Sequence, residues 1–140
     1  MQYEILIYNK TPERIPEKFI KTTIVKALSF LKLKQPIEMA VLVVDKKEML
    51  RLNKIWRKEN KTPDELSFGL NSRKTEIFAK EQNGVVNLGE IVVNVEKISD
   101  KKKLSKILVH ALLHLLGYNH GEMKKFSPLR VITRKVRKNN

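Results

Sequence analysis

The chain contains three histidines, and all of them fall within eleven residues, at His110, His114 and His120. His110 and His114 are four positions apart, so a helix through this segment sets both imidazoles on one face, one turn apart, addressing a common point. Gly117, three residues after His114, is available to end that helix in a left-handed turn and to return the chain so that His120 reaches the same point. Three neutral imidazoles hold a zinc ion and leave the fourth tetrahedral position for water, the arrangement of a catalytic rather than a structural site. The sequence has no cysteine, so disulfides, thiolate ligands and cysteine nucleophiles are excluded, and any transition-metal site must come from His, Asp or Glu. Alternatively, the three are ordinary core or surface histidines satisfied by hydrogen bonds. Apart from His110 and His114, however, the segment from Ile107 to Leu116 is apolar, and imidazoles inside it need partners. One metal ion supplies that partner to all three.

The spacing is similar to the zincin signature H-E-x-x-H-x-x-G-x-x-H, with Ala111 at the position of the glutamate general base. Peptide hydrolysis thereby loses its proton acceptor. Phosphodiester hydrolysis by a zinc-activated water does not depend on that residue, and the charge of the chain favours a polyanionic substrate. Lys and Arg number 29 against 15 Asp and Glu, a formal net charge of +14. From Lys124 to Asn140 there are seven basic residues and no acidic one, which leaves the rest of the chain at +7. Such a field attracts nucleic acid or another anionic surface.

The elements that must position these residues follow from periodicity. Tyr3 to Tyr8 alternates as a strand and is followed by a turn over Asn9–Pro12. Pro16 opens a helix whose apolar stripe is Phe19, Ile20, Ile24, Ala27, Leu28 and Leu31, with Gln35-Pro36 breaking it. Ile37 to Val44 is a β-branched internal strand. Asp45 and Glu48 have capping-box spacing for a second helix, with Met49, Asn53 and Trp56 on one face. Strands are predicted over Leu66–Leu70 and Leu88–Val95, joined by a long loop or hairpin with an Asn83-Gly84 turn. Ser99 or Asp100 caps the histidine helix, which is predicted from Lys101 to Leu116. The result is an α/β (α+β) fold, a small mixed sheet packed with helices, one of them a zincin-like metal-binding helix. At 140 residues this is one domain, read as residues 1–123 with a basic C-terminal tail over 124–140. The first residues lack a signal-peptide pattern, and the stretch Ile107–Leu116, ten residues that include two histidines, is too short to span a bilayer, so a cytoplasmic location with no membrane partner is expected.

With these residues in place, the segment His110-Ala111-Leu112-Leu113-His114-Leu115-Leu116-Gly117-Tyr118-Asn119-His120 resembles the YbeY endoribonucleases, bacterial rRNA maturation factors whose pattern is H-G-x-L-H-L-x-G-Y-D-H. Two further blocks match in order. Leu52-Asn53-Lys54-Ile55-Trp56-Arg57, followed by Asp64 to Phe68, resembles L-N-x-x-x-R … P-T-D-V-L-S-F, and Leu88-Gly89-Glu90-Ile91-Val92 resembles L-G-D-I-V. The likeness spans roughly Ile37 to His120. Ala111 replaces a glycine, Asn119 replaces the acidic residue before the third histidine, and Thr62-Pro63-Asp64-Glu65 stands where the pattern has P-T-D-V.

The resemblance implies a zinc-dependent, single-strand-specific endoribonuclease of ribosomal RNA maturation, acting at the 16S 3′ end, with the small ribosomal subunit as partner. One Zn²⁺ per chain is expected on His110, His114 and His120, and Arg57 and His114 stand as the catalytic residues. Arg57 aligns with the family's active-site arginine, and a guanidinium there can grip a phosphate and offset developing charge. Otherwise Arg57 is a surface residue paired with Glu59 or a neighbour. Ser67 is expected to point to the metal side of its strand, Glu90 and Asp64 are acids near the site or strand ends, and Trp56 and Tyr118 are packing residues first and base-stacking residues second. The competing functions are a non-catalytic RNA-binding ribosome-assembly factor with a structural metal, and a small metalloprotease disfavoured by Ala111.

Overall fold

The computed structural model describes residues 3–33, 35–69 and 84–118. Strand β1 (Tyr3–Asn9) leads through helix α1 (Glu17–Phe30) to β2 (Ile37–Val44), and then through α2 (Lys46–Trp56) to β3 (Glu65–Gly69). Strand β4 (Val86–Asn94), a 3-10 turn (Val95–Lys97) and helix α3 (Lys101–Leu115) complete the order among the described residues. The four strands form one mixed sheet in the order β1-β2-β4-β3, with β1, β2 and β4 parallel and β3 antiparallel to β4. The expected succession of elements is therefore present. Pro16 lies one place before α1, as its N-cap residue, rather than inside it.

Alternation along the strands assigns the two faces. Ile37, Met39, Val41 and Val43 of β2 join α1 and α3 in the main core, whereas Leu42 and Val44 turn to the opposite face, where Met49 of α2 meets Leu66 and Val92. In β4 the inward positions change parity, from Val86 and Leu88 to Ile91 and Val93. The cause is a bulge: Asn87 pairs with Glu38, but Gly89 pairs with Met39, so one residue is extra. Gly89 takes φ +108, and a Cβ there would overlap the carbonyl oxygen of Phe68 on β3. Only glycine permits this approach of the two strands.

The ends of α3 are fixed by their own sequence. Asp100 Oδ1 accepts from the amides of Lys102 (3.0 Å) and Lys103 (3.2 Å), satisfying two donors that the first turn leaves without helical partners. At the other end Gly117 has φ +90. Its N–H donates to the His114 carbonyl, and the Tyr118 N–H donates to the Leu113 carbonyl, each at 3.0 Å. That pair of bonds is a Schellman closure. In between, Leu104, Ser105, Ile107, Leu108, Val109, Ala111, Leu112, Leu113 and Leu115 are buried. No helix among the described residues is long and apolar enough to cross a membrane.

Candidate functional site

Beyond the exposed Lys101 and Lys102 at its start, α3 has one stripe that escapes burial: Lys103, Lys106, His110 and His114, at spacings of three, four and four. The histidines therefore lie at the C-terminal end of a polar lane rather than inside an apolar helix. This qualifies the expectation that they need partners because they are buried; both are half-buried. Their rings stand 4.6 Å apart between centroids, with an interplanar angle of 77°. One turn of helix thus brings the two imidazoles together at one end of α3, as the four-residue spacing predicts.

The facing wall is β3. Leu66 and Phe68 of this strand turn to the α2 side, while Glu65 and Ser67 turn to α3. The Glu65 Oε1 atom lies 3.3 Å from His110 Nδ1, and the side chains of Glu65 and His110 are only 14% and 26% exposed. Ser67 Oγ lies 3.3 Å from Glu65 Oε2 and 3.3 Å from the Ala111 carbonyl oxygen. The hydroxyl has one proton to donate, and the carboxylate is the stronger acceptor. Ser67 thus points to the histidine side, as expected from alternation. Glu65 is the residue that sequence reasoning passed over. Its signal is an acid two positions before Ser67, on the same face of the strand.

The donor set described fits a borderline divalent cation such as zinc: two neutral-capable imidazoles one turn apart, with a carboxylate behind one of them. Among the described residues no three His, Asp or Glu groups gather closely enough to hold a metal by themselves. The predicted third ligand, His120, and the basic tail from Lys124 lie outside the described residues.

Arg57 is the C-cap residue of α2, exposed, with its N–H donating to the Asn53 carbonyl at 2.9 Å. Among the described residues no hydrogen bond or ion pair links its side chain to either histidine, and Glu59 pairs with Lys61 (3.9 Å) instead of with Arg57. Buried Asn53 donates to the Lys61 carbonyl at 3.0 Å, which ties down the connection running from Arg57 to β3. Asp64 pairs with Lys97 at 3.7 Å, and Glu90 is exposed on the strand face that carries Val92, away from α3. Trp56 is 64% exposed and touches Phe68 edge-on at 5.8 Å, so packing is not its main role; Tyr118 is partly buried against the main core. A groove of about 1560 Å³ follows the α2 side of the sheet, past Tyr8, Leu42, Arg51 and Trp56, and neither histidine lines it. The two histidines and Glu65 therefore stand apart from the broad groove, which Ser67 borders.

Residues 6–139 match the family model described as endoribonuclease YbeY. The endoribonuclease YbeY of Syntrophomonas wolfei is 34% identical over 116 residues, covering 76% of this chain and 74% of that protein. That of Legionella pneumophila strain Corby is 32% identical over 141 residues, covering 97% and 89%. The solution structure of TM1509 from Thermotoga maritima superposes with a TM-score of 0.58 at 22% identity, over 94% of this chain and 88% of that one. This last likeness is one of fold.

Proposed function

This chain belongs to the endoribonuclease YbeY family, and from that premise we propose a zinc-dependent, single-strand-specific endoribonuclease that matures ribosomal RNA at the 16S 3′ end, in the cytoplasm. The observation that carries the metal assignment is the meeting of His110 and His114 at one end of α3, with the Glu65 carboxylate behind His110. His120 is the proposed third ligand.

When bound, zinc supplies Lewis-acid stabilisation of charge at phosphorus and makes water acidic enough to serve as a nucleophile near neutral pH. The protein's own residues do the rest. His110 and His114 present nitrogen lone pairs from a helix end whose geometry is fixed by the Gly117 closure. Lys103 and Lys106 continue the same stripe by two turns, so a phosphate chain lying along α3 meets positive charge before it meets the histidines. Arg57 is proposed to neutralise the scissile phosphate, and the small ribosomal subunit is the proposed carrier of the substrate strand.

The test is cleavage of a defined single-stranded RNA by zinc-loaded protein, by protein treated with chelator, and by His114→Ala. Cutting that requires zinc and is lost in His114→Ala is the expected outcome. Equal cutting by wild type and His114→Ala exposes a contaminating nuclease and removes the assignment. Zinc and RNA binding without cleavage would instead make this an RNA-binding factor with a structural metal.

A further inference from the structure

Glu65 carries a carboxylate into a place that is mostly closed to water, with 14% of its side chain exposed. An ionised carboxylate only accepts hydrogen bonds, so each buried oxygen requires a donor. The Ser67 hydroxyl faces Oε2 at 3.3 Å, and the ring atom facing Oε1 at 3.3 Å is His110 Nδ1. For Oε1 to have a donor there, the Nδ1 position of His110 would have to carry the proton. A neutral imidazole protonated at Nδ1 has its lone pair on Nε2. Glu65 reaches one of the two histidines, and it does not complete a three-group metal cluster among the described residues. These positions suit a residue acting through His110 better than one acting as a ligand itself.

We infer that Glu65, braced by Ser67, is a positioning residue that fixes the tautomer and ring orientation of His110 so that Nε2 is the metal-binding nitrogen. The inference rests on the metal-centre assignment proposed above. It concerns this chain in particular, because Glu65 stands where the motif of the resemblance has valine. A valine at that position donates and accepts nothing, so relatives with valine must orient the ring by other means. Here the strand supplies the orientation. The alternation of β3 makes this economical, since Leu66 and Phe68 anchor the strand to the α2 side while Glu65 and Ser67 stay directed at α3.

Two measurements separate this inference from the metal assignment. The first is the tautomer of His110 in metal-free protein, read from ring ¹⁵N shifts at a pH where the imidazole is neutral, in wild type, Glu65→Val and Glu65→Gln. The second is zinc affinity of the same proteins by competition with a chromophoric chelator. The wild-type ring is expected in the Nδ1–H form. Glu65→Val should convert it to a mixture and weaken zinc about 10–100-fold, the scale found when a ligand's supporting hydrogen bond is removed. Glu65→Gln can still accept from Nδ1 and should keep the Nδ1–H form with only a severalfold loss of zinc affinity; if the valine variant fails to fold, the wild-type ring decides the matter, because an Nε2–H form there overturns the inference. An unchanged tautomer in Glu65→Val overturns the inference, even if zinc binding weakens, because the carboxylate would then act by another route. Failure of wild type to bind zinc, with His110 still locked as Nδ1–H by Glu65, would strike the metal assignment and leave the positioning role standing.

Discussion

Replacing Gly89 by alanine tests the link between the sheet and the site. The residue sits in the β4 bulge at φ +108, and its added Cβ would overlap the Phe68 carbonyl oxygen, with Gly69 Cα only 3.1 Å away. A side chain held at such a φ costs about 1–3 kcal/mol. The overlap is with backbone, not with the tip of a flexible side chain, so β3 must move away. Loss or distortion of two of its ladder hydrogen bonds adds about 0.5–1.5 kcal/mol each. The expected total is about 3–5 kcal/mol, a large part of the roughly 5–15 kcal/mol that holds a domain of this kind together. Gly84→Ala provides the internal standard. Its φ is +78 with nothing within 4 Å of the added Cβ, so it should cost only the left-handed backbone term of about 1–2 kcal/mol. Urea unfolding followed by circular dichroism reads both, and with a slope of about 2 kcal/mol/M the Gly89 variant should lose about 1.5–2.5 M in midpoint. Because β3 carries Glu65 and Ser67, zinc affinity should fall in Gly89→Ala and remain in Gly84→Ala. Equal midpoints for the two variants would refute the close approach of β3 and β4 as the reason for the glycine.

Other perturbations reach the helices and the charged surface. Asp100→Ala removes the cap shared by the Lys102 and Lys103 amides and should cost about 1–2 kcal/mol in unfolding experiments, with Asp100→Asn losing less because the oxygen acceptor is kept. Converting Lys103 and Lys106 together to alanine should weaken RNA binding and lower the slope of log K against log salt by about 1.4, at about 0.7 per phosphate contact on a single strand. Deletion from Lys124 onward, which removes seven basic residues, should flatten that slope further, and an unchanged slope would show that those charges never meet the backbone. The Glu48 carboxyl is held below its ordinary range, chiefly by hydrogen bonding from Arg51. Its ionised form is thus favoured by folding, and the small stabilisation is present above the unfolded carboxylate value and lost as pH falls through the lower folded one. Arg51→Ala should therefore be slightly less stable than wild type at neutral pH, with the difference vanishing in acid denaturation profiles.

What the sequence discloses here is what short-range chemistry decides. The four-residue spacing of His110 and His114, the cap at Asp100 and the closure at Gly117 all depend on neighbours within one or two turns, and each is present in the structure. The start of β4 is less legible, because the bulge at Gly89 interrupts the alternation that would have marked Val86 and Leu88 as one strand with Ile91. Burial of the histidines is overestimated by counting apolar letters, since Lys103 and Lys106 mark the stripe that opens them to solvent. The exposure of Trp56 has a similar origin: it ends α2, beyond the last turn that Met49 and Asn53 bury. Glu65 is hidden for a different reason. Its partner is 45 positions away, and only the pairing of β3 with β4 and the packing of α3 on that sheet bring the two within reach.

That separation also decides when in the life of a molecule the centre exists. Of the described elements α3 is made last, and it brings both histidines together, whereas Glu65 and Ser67 wait on an edge strand synthesised earlier. A growing chain, or one from which α3 has peeled away, retains a sheet but holds no pair of imidazoles against a carboxylate. On the proposed function, cutting power would belong only to molecules in which α3 has closed onto β3. For an enzyme that hydrolyses RNA, such an order would act as a safeguard, because loss of α3 would disarm the proposed centre while the sheet remained.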